Sequence, residues 1–354
     1  MPNSIRLGDI ATYINGYAFK PADRGDTGLP IIRIQDLTGN SYDLGYYSGS
    51  YPEKIEIDNG DILISWSASL GVYVWNRGKA LLNQHIFKVV FDKEPINKDY
   101  FVFAVKYKLN EMVGKTHGAT MKHIVKKDFD NTTIPYPSIK EQEKIAGILH
   151  KAEQIITRRQ TELIELDELI KARFVELFGD LKLNPLGWEL HDFKDLSYLI
   201  TDGEHATPRR VNEGIYLLSA RNVLNHSLQL DDVDYIDQEE YDRIARRIVP
   251  KEGDVLISCS GTVGRCCSVP ADLQFQMVRS AALIRFKECI NPIFAEYMIT
   301  SEFVQDQINS SKTASSQANL FQGKIAKLKG FMPPIELQKE FVSFVKQVDK
   351  SKVS

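Results

Sequence analysis

The chain is organised around the stretch that opens Ile139-Lys140-Glu141-Gln142-Glu143-Lys144-Ile145 and closes Phe174-Val175-Glu176-Leu177-Phe178-Gly179. It holds no proline and, before its end, one glycine, Gly147, so nothing strongly interrupts a helix. Pro135 and Pro137 precede it, where proline is tolerated, and Gly179 follows, where a left-handed cap costs least. Apolar residues recur at Ile145, Ile148, Leu149, Ala152, Ile156, Leu163, Leu166, Ile170, Phe174 and Leu177, mostly at steps of three and four. That spacing draws one stripe along a helix whose other face is charged. At about 1.5 Å per residue, roughly 38 residues make a rod of about 57 Å, longer than a compact domain of this size needs. Such a rod has the look of a spacer, but on the helix alone an ordinary domain-linking helix is the favoured reading.

The flanks of this stretch resemble each other. Gly60-Asp61-Ile62-Leu63-Ile64-Ser65 leads through Ser67 to Gly71, and Gly253-Asp254-Val255-Leu256-Ile257-Ser258 leads through Ser260 to Gly264. Asp61 and Asp254 are 193 residues apart, as are Gly71 and Gly264, so the spacing holds across the block. Upstream, Gly28 to Ile34 parallels Gly214 to Ala220, which is followed by Arg221-Asn222. Downstream, Pro137-Ser138-Ile139-Lys140-Glu141-Gln142 parallels Pro333-Pro334-Ile335-Glu336-Leu337-Gln338. Each copy therefore reads as one domain followed by a helix. Ile31 to Ile34, Ile62 to Ser65 and Ile86 to Phe91 read as strands bounded by turns such as Asp58-Asn59-Gly60, while Tyr100 to Tyr107 and Phe294 to Ile308 read as helices.

A chain of 354 residues with 43% hydrophobic and 26% charged residues is long enough for two domains with buried cores. No apolar run approaches a membrane span, and Met1-Pro2-Asn3-Ser4-Ile5-Arg6 lacks the apolar core of a signal peptide, so a cytoplasmic protein without membrane attachment is expected. Cys259, Cys266, Cys267 and Cys289 have no paired metal-ligand spacing and are expected to be free thiols. The formal net charge of -3 argues against a protein wrapped in nucleic acid but leaves room for local basic patches.

Catalytic signatures are missing. There is no dinucleotide fingerprint, no phosphate loop and no nucleophile elbow. Asp202-Gly203-Glu204-His205 crowds three polar side chains into a loop, an arrangement more often solvated than catalytic. Adjacent Cys266-Cys267 suits neither a routine disulfide nor a shared metal, and His85 beside a strand is more often structural than a ligand. The chain is expected to be no enzyme and to bind no metal or cofactor of its own.

Cations cluster in loops and helix starts of both copies. The first offers Arg33, Arg77, Lys79, Lys115, Lys122, Lys126 and Lys127; the second offers Arg209, Arg210, Arg221, Arg265, Arg279, Lys312 and Lys324. Most surface cations are simply solvated. Several of these stand beside groups suited to base edges, because an arginine fork fits guanine and an asparagine or glutamine amide pairs both ways with adenine. Arg221-Asn222, Asn83-Gln84 and Gln276 near Arg279 fit that pattern, and Trp66, Trp75 and Tyr73 near Arg77 could stack or pack. Gly114 to Thr120 and Ser310 to Gln317 precede short helices, where hydroxyl residues and free N–H groups could hold phosphates or merely cap.

Together these blocks resemble the specificity subunit of type I restriction-modification systems. The resemblance is carried by the Gly-Asp-Ile/Val-Leu-Ile-Ser block, the loop Thr201 to Pro208, the turn Ser260-Gly261-Thr262-Val263-Gly264 and the Pro-x-Ile-x-x-Gln entry into a long helix. It covers nearly the whole chain, in order, twice. It implies an α+β fold: two similar target recognition domains of mixed and antiparallel β-sheet with helices, separated by long helices that pair as an antiparallel coiled coil. The expected boundaries are 1–138 and 185–333 for the two recognition domains, 139–184 for the central spacer helix and 334–354 for a second, shortened one. Each recognition domain would read one half of a split double-stranded DNA target, and a rod of about 57 Å would put half-site centres at most about 17 base pairs apart. Two DNA adenine methyltransferase subunits would dock on the frame, with S-adenosylmethionine on them rather than on this chain, and a restriction subunit could join.

The candidate DNA-contacting residues are Arg33, Trp66, Ser67, Arg77, Asn83, Gln84, Thr116, His117 and Lys122 in the first copy. In the second they are His205, Arg209, Arg210, Arg221, Asn222, Ser260, Thr262, Arg265, Gln276, Arg279, Ser316 and Gln317. The helix-pairing candidates are Ile145, Leu149, Ile156, Leu163, Leu166, Ile170 and Phe174 with Leu337, Phe341, Phe344 and Val348. The second helix starts near Glu336 and is roughly half the length of its counterpart. Paired antiparallel, it would cover Leu163 to Leu177 and leave Ile145, Ile148, Leu149, Ile155 and Ile156 to the methyltransferase subunits or to a second copy of the chain. The alternative is a truncated or silent variant of the same subunit, a structural or recombination partner without productive methyltransferase docking.

Overall fold

The structure, a computed structural model, describes residues 4–40, 43–115, 124–310 and 319–353. Two compact units divide the chain, Met1–Arg159 and Gln160–Ser354. One helix, Ile139–Phe178, contributes residues to both and runs unbroken for 40 residues, about 60 Å at the usual rise. Gly179 follows at φ 76°, the left-handed cap anticipated after Phe178.

In the first unit an antiparallel sheet is ordered Thr12–Asn15, Ile86–Val90, Ile62–Ser65, Gly71–Val74. A second sheet is ordered Tyr46–Tyr47, Leu29–Ile32, Ala80–Leu82, Glu56–Ile57, its two middle strands parallel. A short ladder joins Ser4–Arg6 to Thr133–Pro135. The second unit repeats the plan. Its antiparallel sheet is ordered Ser197–Asp202, Ala281–Phe286, Val255–Ser258, Cys266–Ser268. Its mixed sheet is ordered Asp234–Ile236, Ile215–Leu218, Phe275–Met277, again with one parallel pair, and its ladder joins Leu190–Asp192 to Lys329–Phe331.

The repeated Gly-Asp-apolar-Ser block has one physical reading in both units. Gly60 and Gly253 take φ of 89° and 80°, a turn that a side chain would resist. The next residue closes the turn: Asp61 accepts from the Asp58 N–H and Asp254 from the Lys251 N–H, each at 2.8 Å. Each aspartate then pairs with a cation on the neighbouring strand, Lys88 at 2.9 Å and Arg285 at 2.7 Å. The strand that follows is buried along its whole length because its two faces enter different cores. Ile62 and Ile64 join one cluster and Leu63 another; Val255 and Ile257 join one and Leu256 another. The closing serine hydroxyls, Ser65 and Ser258, donate to the carbonyls of Ser69 and Thr262 in the turn beyond.

The Pro-x-Ile-x-x-Gln entry is a joint. Gln142 is fully buried; its amide donates to the Pro137 carbonyl and accepts from the Asn97 N–H, both at 2.9 Å. Gln338, also fully buried, donates to Pro333 (2.7 Å) and Cys289 (2.9 Å) and accepts from the Asn291 N–H (2.8 Å). Asn97 and Asn291 in turn cap the helices Lys98–Lys115 and Pro292–Thr300.

Two local expectations shift. The strand read at Ile31–Ile34 ends at Ile32, because the Asp36 carboxylate takes the Arg33 N–H at 2.8 Å and starts a helical turn over Ile34–Leu37. The helix read at Phe294–Ile308 is two, Pro292–Thr300 and Glu302–Ser310. Thr300 and Ser301 hydroxyls donate to the carbonyls of Glu296 and Met298, competing with the helix ladder where it breaks.

In the second unit the helix Ile335–Val353 runs antiparallel to the end of the long helix. Arg173 pairs with Glu340 at 2.6 Å and Asp167 with Lys352 at 2.7 Å. Phe341 makes edge contacts with Phe174 and Phe178 at 5.3 and 5.7 Å, those two rings lie tilted at 4.9 Å, and Ile170, Val345 and Val348 are buried beside them. Leu163 and Leu166 are half-buried, as are Leu177, Leu337 and Phe344. No helix among the described residues is long and apolar enough to cross a membrane.

Candidate nucleic-acid interface

The second unit gathers most of the expected cations on loops around its mixed sheet. Gly203 lets the chain turn away from Ser197–Asp202 against the strand end at Val278: a Cβ there would lie 2.4 Å from the Val278 carbonyl oxygen. Gly16 meets Asn83 in the first unit at 2.0 Å by the same measure, so both loops need the bare backbone. Beyond Gly203, His205 Nε2 lies 2.8 Å from Asp202 Oδ2, and Arg247 reaches the other oxygen of Asp202 at 2.7 Å. Burial alone would raise the Asp202 pKa, but Arg247 and His205 outweigh it and hold the carboxyl below the usual carboxylate range.

The helix Gln238–Ala245, capped by Asp237, continues the network. Arg243 bonds Glu240 at 2.9 Å and holds its carboxyl low; Glu204 stands 3.8 Å away. Arg209 reaches Asp237 and Glu239 at 2.8 Å each. Arg210 and Arg221 converge on one carboxylate, Asp234, at 3.0 and 3.1 Å. Arg279 is exposed, with no ion pair among the described residues, and its backbone N–H donates to the Glu204 carbonyl. Nearly every cation here is balanced by an acid, which is how a basic surface coexists with a net charge of -3.

The first unit has a smaller counterpart. Arg33 pairs with the buried Asp36 at 3.0 Å, and Arg77 donates to the Asp36 carbonyl at 2.8 Å while lying over the Trp75 ring at 4.4 Å. Gln84 is exposed on the loop after Ala80–Leu82, and Asn83 beside it spends its side-chain oxygen on the Gln84 N–H. Ser67 is half-buried in the turn after Ser65; Ser260 is half-buried and Thr262 exposed in the equivalent turn.

Four expected readers engage the fold, two of them fully buried. Asn222 is fully buried: it accepts from the Ser219 N–H and donates to the carbonyls of Gln229 and Asp232, all at 2.9 Å. It does for the turn Ala220–Asn222 what Asp36 does for Ile34–Leu37, so its amide is spent on the fold. Gln276 is fully buried and donates to the Ile248 carbonyl at 3.0 Å. Arg265 donates to the Ala220 carbonyl at 2.9 Å and ties a strand to the turn that carries Arg221. Trp66 packs on Phe87 with rings 5.6 Å apart and donates to Asn15. Asn222 and Gln276 present no exposed edge to a groove as placed, while Arg265 and Trp66 are half-buried; the sequence showed their chemistry but not which way they point. Thr116, His117, Lys122, Ser316 and Gln317 lie outside the described residues.

Several residues of the network were missed: Asp234, Asp237, Glu239, Glu240, Arg243 and Arg247. A signal was present. Asp237 followed by Glu239-Glu240 and then Arg243, Arg246 and Arg247 is the acid-first, base-last pattern of a capped surface helix.

On the long helix the apolar stripe divides. Ile145, Ile148, Leu149, Ile155 and Ile156 are 36 to 67% exposed, against 1% for Ile170 and 6% for Phe174. No group of three His, Cys, Asp or Glu among the described residues could hold a metal ion, and burial pushes the Cys259 and Cys267 thiols up to about 12.

Comparison with known proteins agrees with this geometry. The family described as "Type I restriction modification DNA specificity domain" matches residues 3–167 and 211–354. The specificity subunit of the type I restriction enzyme EcoBI from Escherichia coli is 25% identical, over 97% of this chain and 78% of its own. The MjaVIII specificity subunit from Methanocaldococcus jannaschii is 22% identical, over 98% and 85%. Among solved structures, the S subunit of a type I system from M. genitalium superposes with a TM-score of 0.57 at 13% identity, covering 99% of this chain and 90% of that one. A chain from a study of complex assembly in a type I R-M system gives 0.50 at 16% identity, with the same coverage.

Proposed function

The chain belongs to the type I restriction-modification DNA specificity family, whose work is DNA sequence recognition rather than catalysis, and from that premise we propose that it reads a bipartite double-stranded target. Each repeated unit takes one half-site, and the chain directs adenine-N6 methyltransferase subunits carrying S-adenosylmethionine to the site. The observation that carries this reading is the repeat itself: the same two sheets, Gly-Asp turn, serine-closed loop and buried glutamine joint occur before and after one continuous helix. A single recognition surface needs one such unit; two imply two readings.

The DNA contacts proposed are the surface cations and amides that remain accessible: Arg33, Arg77 and Gln84 in the first unit, and His205, Arg209, Arg210, Arg221, Thr262 and Arg279 in the second. The exposed stripe from Ile145 to Ile156 is proposed as the docking face for the methyltransferase subunits, with self-association as the competing occupant. Burying what remains exposed of these five side chains contributes less than about 10 kcal/mol, against which the cost of association is set.

The test is to express the chain with its cognate methyltransferase and map N6-methyladenine in cellular DNA. Two short specific elements separated by a fixed gap are expected. A contiguous motif, or no motif from an assembled complex, would rule the reading out. The size of the isolated chain and of the complex separates the occupants of the stripe.

A further inference from the structure

We propose that Asp234 is a specificity-determining positioning residue, a single carboxylate that holds Arg210 and Arg221 as one paired contact for DNA. The proposal rests on the DNA-reading role above and names the residue on which discrimination at one half-site turns.

Asp234 opens the strand Asp234–Ile236, which pairs with Ile215–Leu218 in register Leu217 to Asp234, so its backbone is anchored in a sheet. Arg210 lies in the loop before that partner strand, next to the Val211–Tyr235 bridge, and Arg221 in the turn after it. The carboxylate brings their side chains together. Its Oδ2 accepts from Arg210 Nε at 3.0 Å and its Oδ1 stands 3.1 Å from Arg221 Nη2. The turn beneath Arg221 is tied down by the buried Asn222 amide and by the Arg265 guanidinium on the Ala220 carbonyl. Arg221 therefore has a fixed base and a held tip.

Two guanidinium groups brought to one carboxylate repel each other once it is gone, and each regains the rotamer freedom of a long side chain. Asp234 takes one hydrogen bond from Arg210 and faces Arg221 Nη2 as an ion pair, with Asp232 Oδ1 at 3.7 Å from the same nitrogen, leaving the remaining N–H groups of each fork for acceptors in a groove. The carboxylate also has the sign of phosphate. A duplex pressed at random against the pair meets an anion as well as two cations, whereas neutral base acceptors are not repelled, so the difference between cognate and random DNA widens.

The experiment uses the full chain assembled with its cognate methyltransferase and two duplexes of equal length, one carrying the motif mapped for the wild type and one with a scrambled half-site. For Asp234→Asn, affinity for the scrambled duplex rises several-fold and discrimination falls at least about fivefold. The slope of log affinity against log salt steepens by about one, as one more phosphate contact forms. In cells the methylated motif loosens in one half only. Combined with Arg210→Gln and Arg221→Gln, Asp234→Asn costs no further discrimination, because the paired contact it positions is already gone. Unchanged discrimination and slope overturn the proposal, as does equal loosening of both halves or a further loss on the double-arginine background. If Asp234→Asn does not assemble, Arg210→Gln and Arg221→Gln singly must loosen the same half-site, and different or absent effects overturn it. A wild-type complex that cannot tell the duplexes apart removes the DNA-reading role and the proposal with it; discrimination by the wild type that Asp234→Asn equals removes the proposal alone.

Discussion

At the scale of residues, the buried glutamines and the paired acids do different work. Replacing Gln338 with alanine strands the Asn291 N–H and the carbonyls of Pro333 and Cys289 away from water. Each orphaned group costs about 1 to 3 kcal/mol, so Gln338→Ala should lose about 3 kcal/mol or more in urea unfolding of the second unit. A loss below about 1 kcal/mol would show that the joint is not structural. Asp202 makes a pH-dependent contribution. Its folded pKa lies below the ordinary value of about 3.9, so its stabilisation is complete above that pH and disappears as pH falls through the lower folded value. Thermal unfolding between about pH 3 and pH 6 should show a shallower acid limb in Asp202→Asn than in the wild type. Identical limbs would mean that Arg247 and His205 do not hold the carboxylate in solution.

At the scale of elements, the two long helices are amphipathic for different partners. Over Leu163 to Phe178 the stripe meets the helix Ile335–Val353, and Phe341 lies at the centre of that contact, fully buried against Phe174, Phe178 and Tyr297. Phe341→Ala is expected to cost about 3 to 5 kcal/mol, measured by chemical denaturation. The stripe from Ile145 to Ile156 has the same composition and no such cover. The combined variant Ile148→Gln, Ile155→Gln and Ile156→Gln should therefore leave the isolated chain within about 0.5 kcal/mol of wild-type stability and abolish co-purification with the methyltransferase. Retained co-purification would move the docking face elsewhere.

At the scale of the molecule, the proposed reading of a split target predicts that the two units are exchangeable. Exchanging residues 185–333 for the matching segment of a relative with a different target should change one half of the methylated motif and leave the other intact. A change in both halves would show that the units do not read independently. Much of this organisation was legible in the sequence, because it is written in local chemistry and spacing. The helix follows from a long uninterrupted period and the repeat from Gly-Asp-apolar-Ser blocks 193 residues apart. Side-chain direction was not legible. Asn222 and Gln276 look like base readers beside arginines, yet both are consumed inside the fold, whereas Asp234 carries no motif and gathers two arginines distant in sequence. The sequence by itself determined the long helix and the duplication, since periodicity and turn chemistry act between near neighbours. Only the tertiary structure decided which polar groups reach the surface and which cations share an anion, since those depend on how strands from distant parts of the chain close on one another.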